Sequence, residues 1–272
     1  RTYGSRREYN SQLGYGWDFN FNMKVRPLAP VSGQSNTVVL LNGSCYKRDF
    51  IQDTNDPNLY TRQDDLNSYI SFDPVTERFT LIEKSGLQYN FNANGCLWRI
   101  TDENNNYIEI TYKKDALGLD ELKDLYGKSD FLNPDENVQE YGLIAKEYQI
   151  NKITDDLGRE YPFTYDPTTG LLSYISDFAD RTWVYFHDSA TNDLTKVQDP
   201  NGQFTSYSYD LRHNLKQISD PNGDTYITNY YNIITDQVYH QTYGYGKFIF
   251  DYNSVANYGI LTDRQGYETR VD

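Results

Sequence analysis

The stretch Val197-Gln198-Asp199-Pro200-Asn201-Gly202-Gln203-Phe204-Thr205-Ser206-Tyr207-Ser208-Tyr209-Asp210 holds a turn followed by a strand. Asp199 at the first turn position can accept hydrogen bonds from the amides that follow it. Pro200 pre-sets φ at the second position, and Gly202 tolerates a left-handed exit. Beyond the turn, Thr205, Tyr207 and Tyr209 alternate with other residues, the period of a strand with one buried face.

The unit recurs on both sides. Asp220-Pro221-Asn222-Gly223 repeats the turn, and anchor residues stand at Asp102, Asp155, Asp177, Asp199, Asp220, His240 and Asp263. From Asp155 onward their spacings are 22, 22, 21, 20 and 23 residues. An aliphatic precedes each anchor by two positions: Ile100, Ile153, Ile175, Val197, Ile218, Val238 and Leu261. Three positions after it come Gly158, Asp180, Gly202, Gly223 or Gly266, with Asn105 in the first copy and Gly slipped to Gly244 in the His240 copy. The strands after the turns carry Ile108/Ile110/Tyr112, Tyr161/Phe163/Tyr165, Trp183/Tyr185/His187, Thr205/Tyr207/Tyr209, Tyr226/Thr228/Tyr230 and Gly246/Phe248/Phe250 on the face predicted to be buried. Another column, Leu97, Ile150, Leu172, Leu194 and Leu215, lies three residues before the aliphatic one. On an unbroken strand those two columns point to opposite faces. Either a bulge or turn exit intervenes or the leucines pack on the other side. Periods near 20 residues indicate stacked units sharing a continuous core, since a lone hairpin is marginal in water.

Upstream the pattern is looser but still β. Val38-Val39-Leu40-Leu41-Asn42-Gly43 reads as an apolar strand closed by a hairpin turn, and Tyr69–Phe72, Phe79–Ile82 and Leu87–Phe91 continue it. The chain is read as one domain over 1–272, with a lead-in at 1–35, hairpins at 36–112, an insertion at 113–149 and repeats at 150–272. The insertion accounts for the 53-residue gap between Asp102 and Asp155, and Leu119–Gly127 within it has a short helical pattern with a Gly stop. The predicted fold class is therefore all-β: repeated antiparallel hairpins forming a curved, spiralling sheet, with one mostly irregular or helical insertion.

Composition agrees. Among 272 residues are 27 Tyr and 13 Phe against one Met, which favours pleated strands and leaves much to bury. Formal charge is −14, a field that disfavours nucleic acid or anionic membrane surfaces, and no apolar run is long enough for a transmembrane helix. Cys45 and Cys96 are too few for a disulfide framework or a metal cluster of their own; one bridge or two buried thiols are both compatible with them. The start at Arg1, without Met or a targeting segment, reads as a piece of something longer.

Phe163-Thr164-Tyr165-Asp166 and Tyr207-Ser208-Tyr209-Asp210, each after a Gly-terminated turn, resemble the YD repeat of RHS proteins. Gly14-Tyr15-Gly16-Trp17 resembles the Gly-x-Gly-Trp segment that opens many RHS regions, and Leu40-Leu41-Asn42-Gly43 the apolar hairpin that follows it. The resemblance implies a β-ribbon spiralling into a hollow shell, which in bacterial relatives encloses a C-terminal toxin domain, in insecticidal toxin complexes forms the cocoon, and in teneurins serves adhesion. It implies a secreted or cell-surface protein whose partners are neighbouring repeats and a toxin domain outside this chain. Neither the self-cleaving core segment of the family nor a toxin domain is present, so the chain corresponds to an upstream wall segment.

No catalytic motif stands out. There is no Gly-x-Ser-x-Gly elbow, His-Glu-x-x-His or phosphate loop, and of three histidines His187 and His240 fill slots held elsewhere by Tyr and Asp, which points to packing or turn roles. The Asp/Asn turns lack the spaced ligands of a calcium loop. The expectation is thus a non-enzymatic module with no cofactor and no metal, whose structural residues are Trp17, Gly158, Tyr165, Gly202, Tyr209, Gly223, Tyr230 and Gly266. A surface adhesion or carbohydrate-binding module, with a neutral glycan or surface protein as partner, is the alternative.

Overall fold

A computed structural model describes residues 1–4, 10–28, 33, 35–44, 46–64, 67–113, 149–253 and 258–271. Four short strands come first, β1 (Thr2–Tyr3), β2 (Asn10–Ser11), β3 (Gly14–Tyr15) and β4 (Trp17–Asp18), with β1 paired to β4 and β2 to β3. A long antiparallel sheet then begins with β5 (Met23–Pro27), β6 (Thr37–Asn42), β7 (Lys47–Gln52), β8 (Leu59–Thr61) and β9 (Ser68–Asp73). It continues through β10 (Arg78–Glu83), β11 (Gln88–Phe91), β12 (Leu97–Thr101) and β13 (Tyr107–Tyr112). The repeats supply β14 (Ile150–Asp155), β15 (Glu160–Tyr165), β16 (Leu172–Ser176), β17 (Thr182–His187), β18 (Leu194–Gln198) and β19 (Phe204–Tyr209). Last come β20 (Leu215–Ser219), β21 (Thr225–Tyr231), β22 (Val238–Tyr243), β23 (Gly246–Asn253), β24 (Tyr258–Thr262) and β25 (Glu268–Val271). From β5 to β25 each strand pairs with its neighbour in sequence.

The turns work as their residues dictate. Asp102, Asp155, Asp177, Asp199, Asp220 and Asp263 each accept, on Oδ1, the amide N–H groups two and four residues on. Side-chain acceptance of turn amides is what makes Asp the preferred first residue.

The question of the two aliphatic columns is settled by a bulge. Tyr165 pairs with Leu172 while Thr164 pairs with Tyr174, which leaves Ser173 unpaired. The same slip leaves Trp98, Asn151, Thr195, Lys216 and Tyr239 unpaired in the corresponding strands. One extra residue turns the leucine column to the face of the aliphatic one, so Leu97, Ile150, Leu172, Leu194 and Leu215 are all core residues.

Curvature brings the sheet back on itself. Lys24 of β5 bridges Cys96 just before β12, and the Val25 N–H donates to the Gly95 carbonyl at 2.8 Å. A Cβ on Gly95 would stand 2.1 Å from the Val25 oxygen, so only glycine permits this crossing. The return is this local contact; among the described residues no ladder joins β25 to β5.

Two sequence readings need correction. In β21 a second irregularity between Ile218 and Ser219 shifts the phase, so Ile218 faces Ile227. Asn229 and Tyr231 therefore take the inner positions, and Tyr230, expected on the buried face, is 42% exposed. His240 is not a turn anchor: it lies within β22, opposite Tyr230 and stacked on its ring at 4.5 Å, and the hairpin turns later, at Gly244-Tyr245. The predicted insertion, including the helical pattern at Leu119–Gly127, lies outside the described residues from 114 to 148. At its ends, the Lys113 N–H donates to the Gln149 carbonyl at 2.9 Å. Cys96 is buried, and Cys45 also lies outside the described residues.

Candidate functional site

The inner face of the repeats is built from paired columns. Tyr112 sits opposite Ile150, Tyr165 opposite Leu172, His187 opposite Leu194, Tyr209 opposite Leu215 and Tyr231 opposite Val238. The tyrosine hydroxyl then reaches back one hairpin. Tyr112 donates to the Leu97 carbonyl at 2.6 Å, Tyr209 to Leu194 at 2.6 Å and Tyr231 to Leu215 at 2.9 Å. These carbonyls sit beside the bulge, where the ladder is disrupted, so the hydroxyl satisfies backbone that the sheet leaves open. Tyr165 occupies the same place, with its hydroxyl towards Ile150 but outside hydrogen-bonding geometry. Burial pushes the phenols of Tyr165, Tyr209 and Tyr231 well above the ordinary tyrosine range, so they remain neutral donors.

One repeat breaks the series, and there the N-terminal segment docks. His187 stands in the tyrosine slot, and its Nε2 lies 3.1 Å from the Leu13 carbonyl. The Leu172 N–H donates to the Gln12 carbonyl at 2.7 Å. Gly14 passes so close that a Cβ would meet the Asn192 carbonyl at 2.5 Å, and its φ of +99° is itself a glycine conformation. Trp17, 4% exposed, donates from Nε1 to the Tyr209 hydroxyl at 2.7 Å and packs edge-on against Tyr207 at 5.1 Å. The Tyr3 hydroxyl donates to the His213 carbonyl at 2.6 Å and accepts from the Leu215 N–H at 3.0 Å. Tyr15 stacks on the His213 ring, centroids 4.3 Å apart, and His213 Nδ1 is 2.9 Å from Asp193. Residues 1–3 and 12–17 thus line the inner face of repeats nearly two hundred positions downstream.

Among the described residues a hollow opens between this segment and the inner face. A cavity of about 740 Å³ lies between Phe19 and Phe21 on one side and Ile108, Phe163, Ile175 and Tyr185 on the other. Its mouth carries Asp102, Asp155 and Asp156 with Arg159, the last paired to Asp155 at 2.7 Å. Chemically this is an apolar hollow with an acidic rim. Among the described residues no group of three His, Cys, Asp or Glu is gathered to hold a metal ion.

The residues singled out from sequence fall in three places. Gly158, Gly202, Gly223 and Gly266 end the Asp-anchored turns with φ of +77°, +82°, +88° and +87°. A Cβ at Gly158, Gly223 or Gly266 would meet nothing, so these glycines supply backbone conformation rather than space; Asn105 and Asp180 fill the same place at +65° and +60°. Trp17, Tyr165 and Tyr209 are on the inner face, and Tyr230 is on the outer one. Sequence reasoning missed His187 and His213 as contacts of the N-terminal segment. The available signal was that His187 replaces a tyrosine whose hydroxyl closes the other repeats.

Residues 187–225 match the family model described as RHS Repeat. The chain carries an RHS repeat. The matched span runs from the end of β17 to the start of β21, so the RHS repeat holds His187, Leu194, Tyr209, His213 and Leu215, the surface on which the N-terminal segment docks. Among solved structures, a TcdB2-TccC3-Cdc42 crystal structure is similar over 92% of this chain at 12% identity and a TM-score of 0.37. A TcdB2-TccC3-TEV structure gives the same three values, and a porin-like protein from Bacteroides uniformis ATCC 8492 is similar over 92% at 9% identity and a TM-score of 0.31. The alignments take in 15% and 14% of the two TcdB2-TccC3 chains, of which this chain thus spans a small part, and 93% of the porin-like one. No curated protein matches.

Proposed function

We propose that this chain is a non-enzymatic wall segment of a shell that encloses another stretch of polypeptide. The observation that carries this reading is the unfilled apolar hollow on the inner face of a sheet bearing an RHS repeat. A free-standing sheet gains by covering such a face. Here the N-terminal segment docks on β16–β20, and the hollow lies between its Phe19 and Phe21 and the strands from β12 to β17. The same bulge recurs in alternate strand pairs from β11/β12 to β21/β22, and the tyrosine hydroxyls fix neighbouring hairpins to one another, as a stiff wall requires. In the fullest form of the proposal the enclosed polypeptide is a C-terminal toxin domain and the protein acts outside the cell or at its surface.

The test is a photo-cross-linking residue in place of Ile175, in the protein as its source makes it. Cross-links to polypeptide outside residues 1–272 are the expected result. Cross-links confined to the neighbouring repeats would overturn enclosure.

A second reading, surface binding of a neutral glycan, is favoured by the rings on the outer face. Tyr174, Phe186, Phe204 and Tyr230 are each exposed by about two fifths, and Phe186 and Phe204 lie 6.0 Å apart. Glycan-array binding lost on Phe204→Ala would support this reading, and an empty array would remove it.

A further inference from the structure

Two of the three histidines touch the N-terminal segment, and they do so differently. His187 is covered by it: the Leu13 carbonyl takes one ring nitrogen, and Gly14 lies against the ring edge. The hydrogen bond requires the proton on Nε2, which leaves Nδ1 without one in the docked state. We propose that His187 is an acid-sensitive catch, holding the segment Gln12–Trp17 on the inner face near neutral pH and loosening it as the solution acidifies, while the sheet stays folded.

The driving force is burial. A second proton makes the ring a cation, and the docked segment and sheet leave the ring only part-exposed to water, so its proton affinity is held below the ordinary histidine value, chiefly by desolvation. The Leu13 carbonyl and the carboxylate of Asp166 oppose this without cancelling it. Lifting the segment returns the ring to water and its ordinary affinity. The lifted state therefore binds more protons between the lowered docked value and the ordinary histidine value, and within that window each unit of acidification favours it by up to about tenfold.

Among the described residues the charged groups around the catch are few. Asp166, after β15, faces His187 directly, and Asp193 precedes Leu194, its partner on β18. Asp193 is already paired to His213 Nδ1, under the stacked Tyr15 ring. From the N-terminal segment itself, Gln12 and Leu13 bring only neutral groups to this spot. Loosening the segment uncovers the inner face of the RHS repeat, including the Tyr209 hydroxyl that Trp17 holds. The proposal does not depend on what the hollow encloses.

Amide hydrogen exchange followed by mass spectrometry tests it on the whole chain, at pH 7, 6 and 5, corrected for the intrinsic rate of each amide. Wild type should lose protection at residues 11–17 progressively from pH 7 to pH 5, ahead of any loss in β18–β20. In His187→Gln, whose side-chain N–H can still reach the Leu13 carbonyl, the pH response of that segment should vanish. His213→Gln should retain it. A wild-type segment with flat protection overturns the proposal, as does an unchanged response in His187→Gln or a response lost only in His213→Gln. Should the glutamine variant not fold, wild type still decides: the NMR titration midpoint of His187 must coincide with the midpoint of segment exchange, and separate midpoints overturn the catch.

Discussion

The repeats under the N-terminal segment and the strands at the C-terminal end share turn chemistry yet differ in burial. In β18 and β20, Leu194 and Leu215 are 0% and 4% exposed, whereas every residue of β24 is only half-buried. Asp199 and Asp263 cap their turns with the same pair of amide hydrogen bonds. Local sequence therefore makes the hairpin, but the deepest burial in the repeats is found where another segment crosses the face. Across the central repeats that segment is the one holding Gln12, Leu13 and Trp17, together with Tyr3. Burial in this molecule is not spread evenly over similar units, and stability is expected to follow it.

The comparison breaks most readily at Trp17. Trp17→Ala removes a buried indole and should cost about 3–5 kcal/mol. Hydrogen exchange should accelerate in β18–β20 and stay unchanged in β24 and β25. Equal loss at both ends would mean that the chain unfolds as one unit and that the contrast in burial has no energetic counterpart.

Next in size is a pair of hydroxyl deletions. Tyr209→Phe strands the Trp17 N–H and the Leu194 carbonyl together and should cost about 1–3 kcal/mol, the penalty of unsatisfied buried groups. Tyr231→Phe removes a hydroxyl that lies beyond the docked segment and also bonds a carbonyl, that of Leu215, which the Asn229 side chain serves as well; the expected loss is smaller. Denaturant midpoints for the two variants rank them, and equal effects would contradict the special place of Tyr209.

Turn substitutions sharpen the other half of the comparison, the part that all hairpins share. Gly223→Ala meets no steric obstacle but forces alanine to φ of +88°, for about 1–2 kcal/mol. Gly266→Ala should cost the same, since both turns are built alike, and thermal melts of the two variants check it.

The smallest effect is acid sensitivity of the turns. The Asn106 amide holds the Asp102 carboxyl below the usual carboxylate range, and the amides of Thr169 and Thr191 do the same chiefly for Asp166 and Asp188. Their contribution is complete above the ordinary carboxylate value and is lost as pH falls through the lowered folded values. A melting temperature that declines gradually below pH 4, and less steeply in Asp102→Asn, is the expected outcome.

Much of the hairpin pattern was legible in the sequence because turns are local. Asp199-Pro200-Asn201-Gly202 specifies its own conformation, and Tyr207 and Tyr209 declare a period of two. The bulges were not legible: Ser173, Lys216 and Tyr239 have nothing in common as residues, and only the clash between the two aliphatic columns hinted that an extra position existed. The phase change in β21 escaped for the same reason, which is why Tyr230 was placed inside and Tyr231 overlooked. Docking of Leu13 and Trp17 onto His187 and Tyr209 is invisible to any local reading, since it joins positions separated by 174 and 192 residues.

The crossing at Gly95 has a geometric consequence. Because β5 touches the sheet again at the approach to β12, the girth of the coil is fixed within its earliest strands. Hairpins gained or lost farther along would lengthen or shorten the sheet without disturbing that early crossing.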